Sequence, residues 1–106
     1  MFKMKIEFDE SKIKREGKYD IIKMWANIDE YMLKKFKLKR TDDGVYYDYP
    51  GYDGYSAFLS FGNRFEDYSW FTENLKKWEF HELGEDKGNE PYIEDWKRDV
   101  IQGESA

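Results

Sequence analysis

Val45-Tyr46-Tyr47-Asp48-Tyr49-Pro50-Gly51-Tyr52-Asp53-Gly54-Tyr55-Ser56-Ala57-Phe58-Leu59-Ser60-Phe61 puts five tyrosines and two phenylalanines into seventeen positions, interrupted by Pro50-Gly51 and Asp53-Gly54. Ring-rich runs separated by turn formers read as strands joined by a loop. The spacing predicts one strand over Val45 to Tyr49 and another with Tyr55, Ala57, Leu59 and Phe61 on one face. Aromatic residues are 20% of the chain and aliphatic residues are sparse, so rings are its main apolar material. This hairpin is expected to carry much of the core, and its surplus tyrosines to carry binding.

On the N-terminal side, Phe36 and Leu38 alternate with Lys35, Lys37 and Lys39, and Thr41-Asp42-Asp43-Gly44 has turn composition. A further strand over Lys37 to Arg40 should therefore pair with Val45 to Tyr49, completing a three-strand meander. From Tyr19 to Phe36 the apolar period is helical: Ile21, Trp25, Ile28 and Met32 form a stripe, with Lys23, Asn27, Glu30 and Lys34 opposite. Asp9 to Lys18 predicts a short helical turn with Ser11 as cap and Gly17 as stop. Phe2, Met4, Ile6 and Phe8 alternate with Lys3, Lys5 and Glu7, the pattern of a half-buried strand.

On the C-terminal side, Tyr68, Phe71, Leu75 and Trp78 recur at i, i+3, i+7 and i+10, which predicts a helix capped by Asn63 or Asp67 and running to about Leu83. The alternation Trp78-Glu79-Phe80-His81 leaves a short strand as the other reading of its far end. Pro91 is placed to open a third helix to about Ile101, with Ile93, Trp96 or Lys97, and Val100 inside. A polar tail follows from about residue 102.

The fold expected is a single α+β domain over 1–106. It has a four-stranded, mainly antiparallel sheet in the order β-α-β-β-β-α-α, with helices packed on one face. Its core should include Ile6, Phe8, Trp25, Ile28, Met32, Leu59, Phe61, Phe71, Leu75 and Trp78. A chain of 106 residues can bury roughly two thirds of its unfolded surface without staples. With no cysteine, no cationic stretch leading into an apolar segment and no long apolar run, a soluble cytoplasmic protein is expected.

Net charge is −5. Residues 1–40 carry twelve Lys/Arg against seven Asp/Glu, and residues 41–106 carry six against sixteen. Three binding modes follow. The tyrosines, with nearby carboxylates, suit a protein partner through Tyr47, Asp48, Tyr49, Tyr52, Asp53 and Trp70. Lysines interleaved with rings suit nucleic acid through Lys34, Lys35, Lys37, Lys39 and Arg40, although a solvated strand face gives the same pattern. The carboxylates Asp42, Asp43, Asp48, Asp53, Glu66, Asp67 and Glu73 suit a weak nucleic-acid mimic that blocks a DNA-binding protein.

His81 is the sole histidine and reads as a surface or helix-terminal residue, which leaves no catalytic constellation. No calcium-loop spacing, phosphate loop or dinucleotide fingerprint is present, so neither metal nor cofactor is expected. The reading is a non-enzymatic accessory protein that binds another protein through the tyrosine-rich hairpin and an acidic surface.

Met4-Lys5-Ile6-Glu7-Phe8-Asp9, an Ile-rich helix holding Trp25 and Ile28-Asp29, Gly54 before a strand, and Trp70-Phe71 with Trp78 in one helix together resemble small uncharacterised proteins carried on conjugative transposons of Firmicutes. The resemblance spreads over most of the chain. It implies a bacterial cytoplasmic accessory protein and transfers no catalytic residue.

Overall fold

The computed structural model describes residues 1–83 and 92–101. Strand β1 (Phe2–Phe8) occupies the centre of an antiparallel sheet ordered β2-β3-β1-β4-β5. The other strands are β2 (Lys39–Asp42), β3 (Val45–Tyr47), β4 (Leu75–Glu82) and β5 (Tyr92–Asp95). The α+β class holds, but the sheet has five strands instead of four.

Alternation in β1 does what its spacing dictates: Met4, Ile6 and Phe8 are buried, and Lys3, Lys5 and Glu7 point to the opposite face. Met4 lies between Tyr46 and Phe80 in register, and Ile6 faces Trp78. The β2–β3 hairpin turns at Gly44, whose carbonyl accepts the Ile6 amide at 2.8 Å. A Cβ on Gly44 would meet that strand's Ile6 carbonyl at 2.1 Å, and φ there is +74°, so only glycine fits.

Helix α1 (Glu10–Glu16) is capped by the Asp9 carboxylate, not by Ser11, and ends at Gly17 in the left-handed region. Helix α2 (Ile21–Asp29), capped by Asp20, runs on as a π-helix over Glu30–Lys35. Its buried line is Met24, Ile28, Tyr31 and Met32; Ile21 and Trp25 are half-buried and Ile22 is 76% exposed.

The largest departure lies in the opening stretch. Residues Gly54–Phe65 form helix α3, not a strand. Asp53 starts it: Oδ1 accepts the Ser56 amide and Oδ2 accepts the Ser56 hydroxyl. The helix buries Ala57, Phe58, Phe61, Gly62 and Phe65, and leaves Tyr55 and Leu59 outside. Leu59 is therefore not core. Gly62 lets the Trp96 ring lie against the helix, at 2.7 Å from where a Cβ would stand.

The helix expected over 68–83 does not form as such. Only Ser69–Thr72 (α4) is helical, and Leu75–Glu82 is strand β4. A register shift opposite Glu7/Phe8 lets Leu75 and Trp78, three residues apart, both sit in the core. Helical spacing there came from a turn joined to an irregular strand. Likewise, the helix expected over 91–101 is strand β5, paired with β4, followed by a π-helical turn over Lys97–Ile101. Pro91 and the tail from 102 lie outside the described residues.

Helices α2 and α3 cover one face of the sheet, through pairs such as Phe58–Phe80, Phe61–Trp78 and Trp25–Phe8. The 22 Å shortest dimension is that of two layers. No helix among the described residues is long and apolar enough to cross a membrane.

Candidate functional site

The sheet's other face carries no described helix pairing of this kind, and its side chains line up across all five strands. Register places Lys39, Tyr47, Lys3, His81 and Ile93 in one row. At the β2–β3 end of that row, the Lys3 ammonium stands 5.8 Å from the Tyr47 ring and the Lys39 ammonium 5.1 Å from the Tyr49 ring. Tyr49 in turn lies 5.0 Å from Tyr52, whose hydroxyl donates to the Phe36 carbonyl at the end of the π-helix. Burial first, then neighbouring Tyr49 and Asp53, pushes the Tyr52 phenol up.

Three of the six residues expected to bind protein therefore converge on one corner: Tyr47, Tyr49 and Tyr52. Asp48 does not join them. It is buried, its Oδ1 accepts the Phe2 amide at 2.9 Å, and its side chain fills the space beside Gly54. Asp53 is exposed but occupied as the α3 cap, and its hydrogen bonds to Ser56 hold its carboxyl below the ordinary range. Trp70 belongs to a separate cleft.

The basic segment is likewise divided. Lys34 and Lys35 face that cleft, Lys37 sits at φ +56° in the turn after the π-helix, and Lys39 lies over Tyr49. Arg40 turns to another groove, where Nη1 donates to Asp29 at 2.6 Å and Nη2 to Asp43 at 3.0 Å. Asp29 also accepts the Tyr46 hydroxyl at 2.5 Å. Burial, then Asp29, drives the Tyr46 phenol far above its ordinary value. This groove, about 800 Å³, runs between β1, α1 and α2 and holds Trp25, Ile21 and exposed Ile22.

No family model, curated protein or solved structure matches the chain.

His81 is buried, not at the surface as expected. It is 7% exposed on β4, with Nε2 3.0 Å from the Glu79 carboxylate two residues away on the same face. Its expected surface position followed from the helix that does not form.

Sequence reasoning missed Arg64 and Tyr68, which lie at i and i+4 across the end of α3, with Arg64 Nε donating to the Tyr68 hydroxyl at 3.0 Å. The i, i+4 spacing is visible in the sequence, but it becomes a pair only because the helix begun at Gly54 reaches Phe65, where the alternation predicts a strand. The cleft they line measures about 470 Å³ and includes Tyr31, Lys34, Lys35 and Trp70.

Proposed function

We propose that the chain is a non-enzymatic binding module that docks another protein on the corner formed by Tyr47, Tyr49 and Tyr52. One observation carries this reading: three half-buried tyrosines gathered at one edge of the sheet, with lysine ammoniums over two of the rings. Rings held in place before binding lose little freedom when a partner covers them, and tyrosine offers apolar area and a polar tip together. The flanking charges are lysines from the first half of the chain, while Asp48 and Asp53 are engaged elsewhere. An acidic partner surface is therefore the complement. An accessory role of this kind agrees with what the resemblance to transposon-borne proteins implies.

A phosphate backbone tracked along Lys34 to Arg40 as a single stripe has less support, because these side chains serve three different places. Mimicry of nucleic acid is weakened in the same way: Asp43 pairs with Arg40, Asp48 is buried and Asp53 caps a helix.

The test is capture of partners from bacterial lysate on immobilised protein, comparing wild type with Tyr47→Ala/Tyr49→Ala and with Lys39→Glu. The reading expects a captured protein that the double variant loses, and whose retention falls with salt and with Lys39→Glu. Capture that ignores all three changes would remove this surface from consideration.

A further inference from the structure

The cleft between the π-helix and the end of α3 has a different composition from the tyrosine corner, and it does not depend on that corner's role. Three cations line it, Lys34, Lys35 and Arg64, against one carboxylate, Glu30, in a chain whose net charge is −5. Glu30 meets Lys34 only at 4.0 Å with both side chains more than 70% exposed, a pair too solvated to neutralise the site.

Rings alternate with these charges. Tyr31 forms the floor, with the Lys35 ammonium 5.0 Å and the Arg64 guanidinium 5.6 Å from its centroid. The Tyr68 and Trp70 rings are stacked, with centroids 5.9 Å apart and planes 15° from parallel, and both are only half-buried. Tyr68 also holds Arg64 Nε, which fixes the guanidinium instead of leaving it to swing. Where the π-helix widens the turn, Lys34 stands above Glu30 and Lys35 above Tyr31; such turns recur at functional sites. At about 470 Å³ the cleft has the size of a small-ligand site.

A half-exposed indole beside fixed and mobile cations recognises a flat ring joined to an anion. We propose that this cleft binds nucleotide chemistry: a base stacked on Trp70 and Tyr68, with its phosphates on Lys34, Lys35 and Arg64. A free nucleoside diphosphate and a nucleotide within a single strand share that chemistry.

Calorimetric titration at low ionic strength with ADP, adenosine, inorganic pyrophosphate and a short oligothymidylate tests the proposal. ADP or the oligonucleotide should bind, with adenosine and pyrophosphate each about tenfold weaker or more than the better of the two, since each lacks one half of the recognised group. Tighter binding of ADP identifies a free nucleotide, and tighter binding of the oligonucleotide identifies a strand. Lys34→Glu/Lys35→Glu, at exposed positions that spare the core, should weaken the better ligand about tenfold or more, and Trp70→Ala by a similar factor. Three results would each overturn the proposal: no binding of either nucleotide ligand, pyrophosphate or adenosine binding as tightly as the better of the two nucleotide ligands, or binding untouched by the double charge reversal.

Discussion

In Gly54–Phe65 the phenylalanines at 58, 61 and 65 are withdrawn from water, whereas in the segment just before it Tyr47, Tyr49 and Tyr52 keep part of each ring outside. Both segments are ring-rich and they meet at Asp53. The difference comes from period and partner. Helical spacing puts Phe58, Phe61 and Phe65 on the face that meets Phe71, Trp78 and Phe80. Extended spacing sends Tyr46 inward to Asp29 and its neighbour Tyr47 outward to Lys3. Tyrosine suits the second setting because its hydroxyl tolerates water, and phenylalanine suits the first because it leaves no polar atom to satisfy. If this division holds, changes in the helix should cost stability and changes at the corner should cost binding.

Phe61→Ala should have the largest effect. Phe61 is fully buried against Tyr31, Phe65, Phe71 and Trp78. Loss of about 3–5 kcal/mol, a large share of a small domain's stability, is expected in urea unfolding. A loss under about 1 kcal/mol would mean that α3 is not the core element described here.

Gly62→Ala comes next. The new methyl must displace the rigid Trp96 ring, so about 1–3 kcal/mol should be lost despite alanine's better helix propensity. Near-ultraviolet circular dichroism should change, because Trp96 lies 5.3 Å from Trp78. An increase in stability would show that the ring does not rest on this helix.

Tyr46→Phe tests the inward tyrosine. It removes the donor to Asp29 while Arg40 remains, and about 1–2 kcal/mol should be lost at neutral pH. The raised Tyr46 pKa adds a sign. Its contribution is whole below the ordinary phenol value of 10.0 and is lost as pH rises beyond it, so wild-type stability should fall in alkali more steeply than that of the variant.

The smallest effect on stability belongs to the outward pair. Tyr47→Ala/Tyr49→Ala removes two half-exposed rings and one row of cross-strand contacts, and should cost about 1 kcal/mol or less in thermal or urea unfolding.

The parts that could be read from sequence were those with one uninterrupted period. β1 alternates over seven residues, the apolar repeat from Ile21 marks a helix although the π-helical turn and the packing move its buried line to Met24, Ile28, Tyr31 and Met32, and Gly44 marks the hairpin before Val45. Over 55–61, by contrast, apolar residues at the alternating positions Tyr55, Ala57, Leu59 and Phe61 imitate a strand, and the helical pattern becomes distinct only when Phe65 extends it. Asp53 and Ser56 were the local signal, a cap three residues before its amide partner, and tyrosine's strand preference outweighed it. Leu75 and Trp78 misled for another reason: a register irregularity in β4 produced helical spacing in a strand. Of the candidate surface, Tyr47, Tyr49 and Tyr52 are close in the sequence, so their proximity is legible there. Their lysine neighbours are not, because Lys3 and Lys39 reach them only through sheet register, which local sequence does not specify.

The most direct test of this division combines unfolding and capture on one variant, Tyr47→Ala/Tyr49→Ala. A stability within about 1 kcal/mol of wild type together with loss of the captured acidic partner is the predicted result. A variant that unfolds as readily as Phe61→Ala, or one that retains the partner undiminished, would contradict it.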